Sequence, residues 1–169
     1  MLIRWSQWIL ALVIPVWVGL SGGVVSAEGP TIPPVSRVEV VLANEYKNQV
    51  PALTEEFTQA GMNNVHFQFV KRGQPPQNIG LGQEVPADKA REAMRLAVKY
   101  NLGIGILLPE RLFPPRFVTI ASSNFDDTVE YPIDQATLAK LQDPSLTNEA
   151  FHSLYRELTS TPKELPARY

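Results

Sequence analysis

The chain has 169 residues, no cysteine and a formal net charge of −2 at pH 7. This length suits one modest domain, and the absence of cysteine excludes disulfides, thiolate metal sites and thiol nucleophiles. The small negative charge, without any interleaving of aromatic and basic residues, argues against nucleic acid as a partner.

The first 27 residues have the layout of a secretory signal peptide. A positive start at Arg4 precedes an uncharged, mostly apolar run over residues 8–20, and small residues lead to Ala27. We therefore predict cleavage after Ala27 and a periplasmic or secreted location. The alternative is an uncleaved membrane anchor, because the uncharged run extends to Val25 and reaches the length of a membrane helix.

Residues 28–36 are polar and rich in proline, which predicts a linker before a single domain over residues 37–158. The domain begins with a β-branched run over residues 37–43, typical of a strand. Apolar positions over residues 46–59 recur at helical spacing, and Gly61 suits the helix end.

The next segment, residues 65–70, alternates apolar and polar side chains and predicts a half-buried strand, with His66 on its polar side. Residues 79–108 then repeat the order strand, helix, strand, and Pro86 suits the first turn of the helix. Two successive βαβ units predict an α+β fold, namely a ferredoxin-like βαββαβ sandwich with its helices on one face of the sheet.

The remainder of the chain is predicted to add a strand and C-terminal helices to this sandwich. Residues 117–121 predict the added strand, placed at an edge of the sheet where an unpaired strand could accept a partner chain. Asp134 and Thr147 are of the types that cap helices, and the second helix has an amphipathic face. Residues 159–169 predict a flexible tail.

The two βαβ units, with the segment IGLGQEVPADKAREAMRLA opening the second, resemble the SPOR-like domains of bacterial cell-envelope proteins. The resemblance covers about residues 37–108. It implies the ferredoxin-like topology and binding of septal peptidoglycan glycan. The first strand reads VVLAN where the family has Gln-x-Gly-x-Phe, so no glycan-binding residue is assigned from the resemblance.

Gly80 and Gly82 raise the question of a phosphate-binding turn. A dinucleotide-binding fingerprint needs a third glycine where this chain has Val85, and an acidic residue about twenty positions later, which is missing. A P-loop would need Gly-Lys-Ser/Thr, which does not follow either. The pattern therefore predicts an ordinary strand-to-helix corner and no cofactor.

Three cations, Arg91, Arg95 and Lys99, lie at positions i, i+4 and i+8 of the helix after these glycines. Like charges at this spacing repel by a few tenths of a kcal/mol per pair, so nearby acids or an external anion should offset them. One interpretation is a solvated face. The functional interpretation, which makes these three the candidate binding residues, is a site for an anionic glycan or lipid headgroup.

Other chemistry-bearing residues are sparse. Asp126 and Asp127 lie in one loop but supply too few oxygens for calcium. His66 and His152 are far apart in sequence and make a poor zinc site, and no G-x-S-x-G nucleophile motif is present. We predict no metal site and assign no catalytic residue.

These observations favour an exported, non-enzymatic binding or scaffold domain of the bacterial cell envelope, with an anionic glycan or a protein as partner. The alternative is a small extracytoplasmic hydrolase that uses Asp126 or Asp127 with a histidine. Contact with a membrane is expected only if the N-terminal segment is uncleaved.

Overall fold

A computed structural model of the chain describes residues 35–124, 129–160 and 163–164. The predicted signal peptide or anchor, most of the linker, Asp126 and Asp127, and most of the predicted tail lie outside these residues. Within the described ranges, none of the helices combines the length and apolar character needed to cross a membrane.

The first βαβ unit consists of β1 (Arg37–Leu42), α1 (Val50–Gln59) and β2 (Val65–Phe69). A short 3-10 helix, Asn44–Gln49, leads into α1. Gly61 follows α1 with a φ of 81°, a conformation that glycine adopts without steric cost and that confirms the predicted helix end. β1 and β2 pair in parallel, as the α1 crossover requires.

The second unit consists of β3 (Asn78–Leu81), α2 (Ala87–Tyr100) and β4 (Ile106–Leu108), with β3 and β4 again parallel. Pro86 is the N-cap of α2 and precedes its first helical residue. Glu56 of α1 reaches cations of α2, so both helices lie on the same face of the sheet.

β5 (Phe117–Ile120) joins the two units, and the strand order is β2-β1-β5-β3-β4. It pairs in parallel with β1 and antiparallel with β3. The predicted edge position of this strand is therefore wrong, and no partner can bind along it. Val118, Thr119 and Ile120 are all buried, as is typical of a central strand.

The predicted α+β class is confirmed by a mixed five-stranded sheet with four α-helices in the described residues. The strand order departs from the ferredoxin-like prediction. In that split arrangement a strand of the other unit separates the two strands of each βαβ unit. Here the strands of each unit are direct neighbours, and β5 lies between the two units, beside β1 and β3.

The C-terminal helices are α3 (Gln135–Leu141) and α4 (Asn148–Leu158). Both predicted caps are confirmed: the Asp134 carboxylate and the Thr147 hydroxyl accept hydrogen bonds from backbone N–H groups in the first turns. β6 (Val129–Glu130) and β7 (Lys163–Glu164) form a separate antiparallel pair. The core lies between the sheet and the helices, and its largest fully buried side chains include Tyr155, Phe57, Phe151, Leu42 and Leu53.

Candidate functional site

An open groove of about 1150 Å³ runs between α1 and α2 and ends at the turn between α3 and α4. The two helices are linked here mainly through their side chains, since α2 packs chiefly on α4 and the sheet. The carboxylates that line the groove are Glu55, Glu56, Asp88 and Glu92. The cations that line it are Lys89, Arg91 and Arg95.

Two of the predicted binding residues share the Glu56 carboxylate: Arg95, which lines the groove, and Lys99, which lies outside its lining. Arg95 Nη1 lies 3.4 Å and Lys99 Nζ 2.8 Å from the oxygens of Glu56. Arg95 Nε also donates to Glu92 at 2.9 Å. The repulsion expected along α2 is therefore offset within the protein, and half of each cationic side chain remains exposed.

The third predicted residue, Arg91, is placed differently. Its Nη1 donates to the backbone oxygen of Asp143 at 3.3 Å, at the end of the groove. Among the ion pairs of the described residues, none involves Arg91. Arg91 is thus the candidate cation with the most unused capacity to bind an anionic group.

Glu56 is the residue that sequence reasoning missed at this site. Burial opposes its ionisation, but hydrogen bonds from Lys99, Tyr100 and Arg95 outweigh burial and lower the pKa of Glu56. The hydrogen bond to Glu56 in turn raises the pKa of Lys99. No local signal could have identified Glu56, because it lies on α1, more than 38 residues before its partners.

We expect Glu56→Gln to lower the free energy of unfolding by about 1 kcal/mol at pH 7, within the range of a partly exposed ionic network. Because the folded protein lowers the pKa of Glu56, this stabilisation is present above the ordinary glutamate value, about 4.3. It is lost as pH falls through the lower folded value. Urea denaturation of wild type and variant from pH 7 to pH 3 measures the difference between their free energies of unfolding, which should shrink as pH falls.

Glu55→Gln is the matched control, since Glu55 lies on the same helix and bonds only its neighbour Gln59 among the described side chains. A Glu56→Gln variant that is as stable as the Glu55→Gln control at pH 7 would contradict the role assigned to Glu56.

The glycine pair of the second unit is covered by the chain itself. A Cβ added to Gly80 would overlap the Phe113 ring, and one added to Gly82 would overlap the carbonyl oxygens of Pro114 and Pro115. Gly82 N–H donates to the Phe117 oxygen at 2.8 Å. The glycines therefore allow the segment before β5 to pack closely on β3. This segment covers the part of the corner that a ligand phosphate would have to approach.

His152 of α4 forms a buried pair with Glu110, which sequence reasoning had not connected to it. Nδ1 lies 2.5 Å from Glu110 Oε1, and both side chains are 5% exposed. Nε2 lies 2.7 Å from the Val85 carbonyl oxygen. Because a carbonyl can only accept, Nε2 carries a proton, and one further proton is held between Nδ1 and the carboxylate.

The His152 arrangement fastens α4 and leaves no ring nitrogen for acid or base chemistry. Two further bonds support the same helix: Asn148 Oδ1 accepts from Ala87 N at 2.6 Å, and Tyr155 OH donates to the Leu108 oxygen at 2.9 Å. Burial raises the pKa of Tyr155, so it stays protonated as a donor. The other histidine, His66, is exposed on β2, on the polar side where it was predicted.

Among the described residues no three His, Asp or Glu side chains are grouped as a metal site would require. Asp126 and Asp127 lie outside the described residues. Comparison of the chain with protein-family models, with curated proteins and with solved structures found no match. The SPOR-like resemblance accordingly stays a prediction.

Proposed function

We propose that this chain is an exported binding or scaffold domain of the bacterial cell envelope and that its ligand occupies the α1–α2 groove. The observation that carries the proposal is the open groove, which is lined by three cations, including the half-exposed Arg95, and by four carboxylates. Export rests on the signal-like sequence of residues 1–27.

A protein segment fits this groove better than an anionic glycan does. Four carboxylates line it, and an anion approaching Arg95 or Lys99 would have to displace Glu56. Displacement would cost part of the Glu56 network, about 1 kcal/mol, and would bring the anion close to the Glu56 carboxylate, so a polyanion gains less here than it would at free cations. A polypeptide with acidic and basic side chains can instead pair with both sets of groups.

The hydrolase alternative has less support. It depends on Asp126 or Asp127, which lie outside the described residues, together with a histidine. Both ring nitrogens of His152 are bonded, and His66 is exposed on the sheet. We therefore place the ligand in the groove and treat catalysis as secondary.

The test compares the full-length Arg91→Glu/Arg95→Glu variant with a Lys47→Glu/Lys140→Glu control. Lys47 and Lys140 are exposed outside the groove, and the control changes the net charge equally. The probes are an array of immobilised peptides that carry both acidic and basic residues, and insoluble peptidoglycan. We expect the groove variant alone to lose about tenfold in peptide affinity, equivalent to about 1.4 kcal/mol.

Loss of peptidoglycan retention without loss of peptide binding would identify a glycan ligand and refute the polypeptide assignment. Equal binding by wild type, groove variant and control would show that the groove is not the binding site.

A further inference from the structure

The five-stranded sheet has one covered edge and one open edge in the described part of the chain. Residues following β6 cover β4: Leu107 N–H donates to the Tyr131 oxygen and Ile133 N–H to the Gly105 oxygen, both at 3.0 Å. At the other edge, β2 pairs with β1 alone among the described strands.

The sequence of β2, VHFQF, lacks three of the features that natural proteins use to block an edge strand. It has no proline, no lysine and no bulge. Val65, Phe67 and Phe69 are half-buried on the helix side, where the Phe67 ring meets Phe57 edge to face at 5.5 Å. Their outer surfaces offer an apolar row beside the open backbone.

The hydrogen bonds to β1 determine which backbone groups face outward. Asn64 O accepts from Val38 N–H, and Val70 N–H donates to Leu42 O. Because alternate residues of a strand direct both groups to the same neighbour, the even-numbered residues face β1. The residues whose N–H and C=O groups face the open edge are Val65, Phe67 and Phe69.

We propose that two copies of this chain associate through antiparallel pairing of β2 with β2, centred on Phe67. In this register Phe67 opposes Phe67 of the second copy, Val65 opposes Phe69, and His66 opposes Gln68. Each outward-facing residue then meets another outward-facing residue and can exchange both ladder bonds with it. Apolar side chains oppose apolar ones on the helix side, and polar side chains oppose polar ones on the other.

The charges beside β2 permit the same pairing. Lys71 and Arg72 follow the strand, and they would oppose Asn63 and Met62 of the second copy. No like charges therefore stand directly opposite, an arrangement that would weaken a strand pair. A five-residue strand pair is small beside a standard interface of about 1,600 Å², so we expect a weak, concentration-dependent dimer.

The absence of native cysteine allows a test by single cysteines in the full-length chain. His66→Cys and Gln68→Cys are prepared separately; both positions are exposed, so circular dichroism should be unchanged. Positions 66 and 68 of different copies form a non-hydrogen-bonded pair with Cα atoms about 4.5 Å apart, within disulfide range. Residue 66 of one copy and residue 66 of the other lie diagonally across the strand pair, about 7–8 Å apart, which is beyond disulfide range.

On mild oxidation, a mixture of the two variants should give the mixed disulfide several-fold faster than either variant gives a homodimer. A mixture of His66→Cys with Lys47→Cys, also exposed, measures random collision. A mixed disulfide that forms no faster than this control would refute the dimer, and faster homodimers of one variant would refute its register.

A second test uses charge and needs no cross-link. His66→Glu with Gln68→Lys places opposite charges across the pair and should shift sedimentation of the full-length chain towards dimer. His66→Lys with Gln68→Lys places like charges there and should leave monomer alone. Identical sedimentation of the two double variants over a concentration series would overturn the proposal.

Discussion

Gly82→Ala should destabilise the protein by about 3 kcal/mol, at the upper end of the range for overpacking a closed site. The added Cβ would overlap the carbonyl oxygens of Pro114 and Pro115 and lie 2.6 Å from the Pro115 carbonyl carbon. These are backbone atoms and cannot rotate away. The Pro115 oxygen also accepts a hydrogen bond from Glu84 N–H at 2.7 Å, so displacing this segment would break that bond as well. Urea denaturation followed by circular dichroism measures the change.

Gly105→Ala is the control, because its added Cβ would approach nothing closer than 3.8 Å. We expect a change within about 0.5 kcal/mol there. A Gly82→Ala variant as stable as the Gly105→Ala control would mean that the proline segment does not pack on β3.

Gly80 permits a more specific test of the same packing. Its added Cβ would meet a side chain, the Phe113 ring, and would lie 2.9 Å from Thr119 Cγ2. Phe113→Ala should therefore partly rescue Gly80→Ala, with a coupling energy of about 1–3 kcal/mol in a double-mutant cycle. Additive effects would contradict direct contact between the Phe113 ring and Gly80.

These glycines show what the sequence could and could not predict. Their spacing excluded a dinucleotide-binding fingerprint, because Val85 stands at the third position. Nothing in that spacing pointed to Phe113 or Pro114, which lie some thirty residues later and reach β3 only through the course of the chain before β5. Local sequence patterns indicate which conformation a segment prefers. Which distant residue packs against a glycine depends on the topology of the whole chain.

The same limit explains the error in β5. The run FVTI was correctly predicted as a strand, since β-branched and aromatic residues fit a pleated sheet. Its place between β1 and β3 depends on pairing with residues about 80 positions earlier and about 40 positions earlier, which periodicity does not encode. The caps at Asp134 and Thr147 were predictable because each acts within three residues.

At the candidate site the sequence identified the cations but not their environment. Three like charges on one helix face required compensation, and Glu92 on the same helix supplies part of it. Glu56 supplies the remainder from α1. The sequence left an anionic glycan and a protein both open as partners. We propose the protein, because the cations are not free to act together.

His152→Ala should cost about 3 kcal/mol of unfolding free energy, because it leaves the buried Glu110 carboxylate without its main partner. The variant also removes the bond to the Val85 oxygen that fixes α4 against the corner before α2. Glu110→Ala should cost a similar amount by leaving Nδ1 of the buried His152 without a partner. The double variant should cost less than the sum, with a coupling of about 1–3 kcal/mol.

Glu110→Gln separates hydrogen bonding from charge at this site. A glutamine amide can donate to Nδ1 of a neutral imidazole while Nε2–H still binds the Val85 oxygen, so both ring nitrogens of His152 stay bonded. We therefore expect a loss of only about 1 kcal/mol, of the size of one net hydrogen bond.

Arg156→Ala provides the comparison for exposed charge, since Arg156 lies 3.4 Å from Glu110 Oε2 but is 56% exposed. Its loss should cost below about 1 kcal/mol. Urea denaturation at pH 7 ranks the five variants by their loss of unfolding free energy: His152→Ala, Glu110→Ala, the double variant, Glu110→Gln and Arg156→Ala. If His152→Ala costs no more than Arg156→Ala, the buried pair does not hold α4 in place, and the helix depends on the apolar contacts of Phe151 and Tyr155 instead.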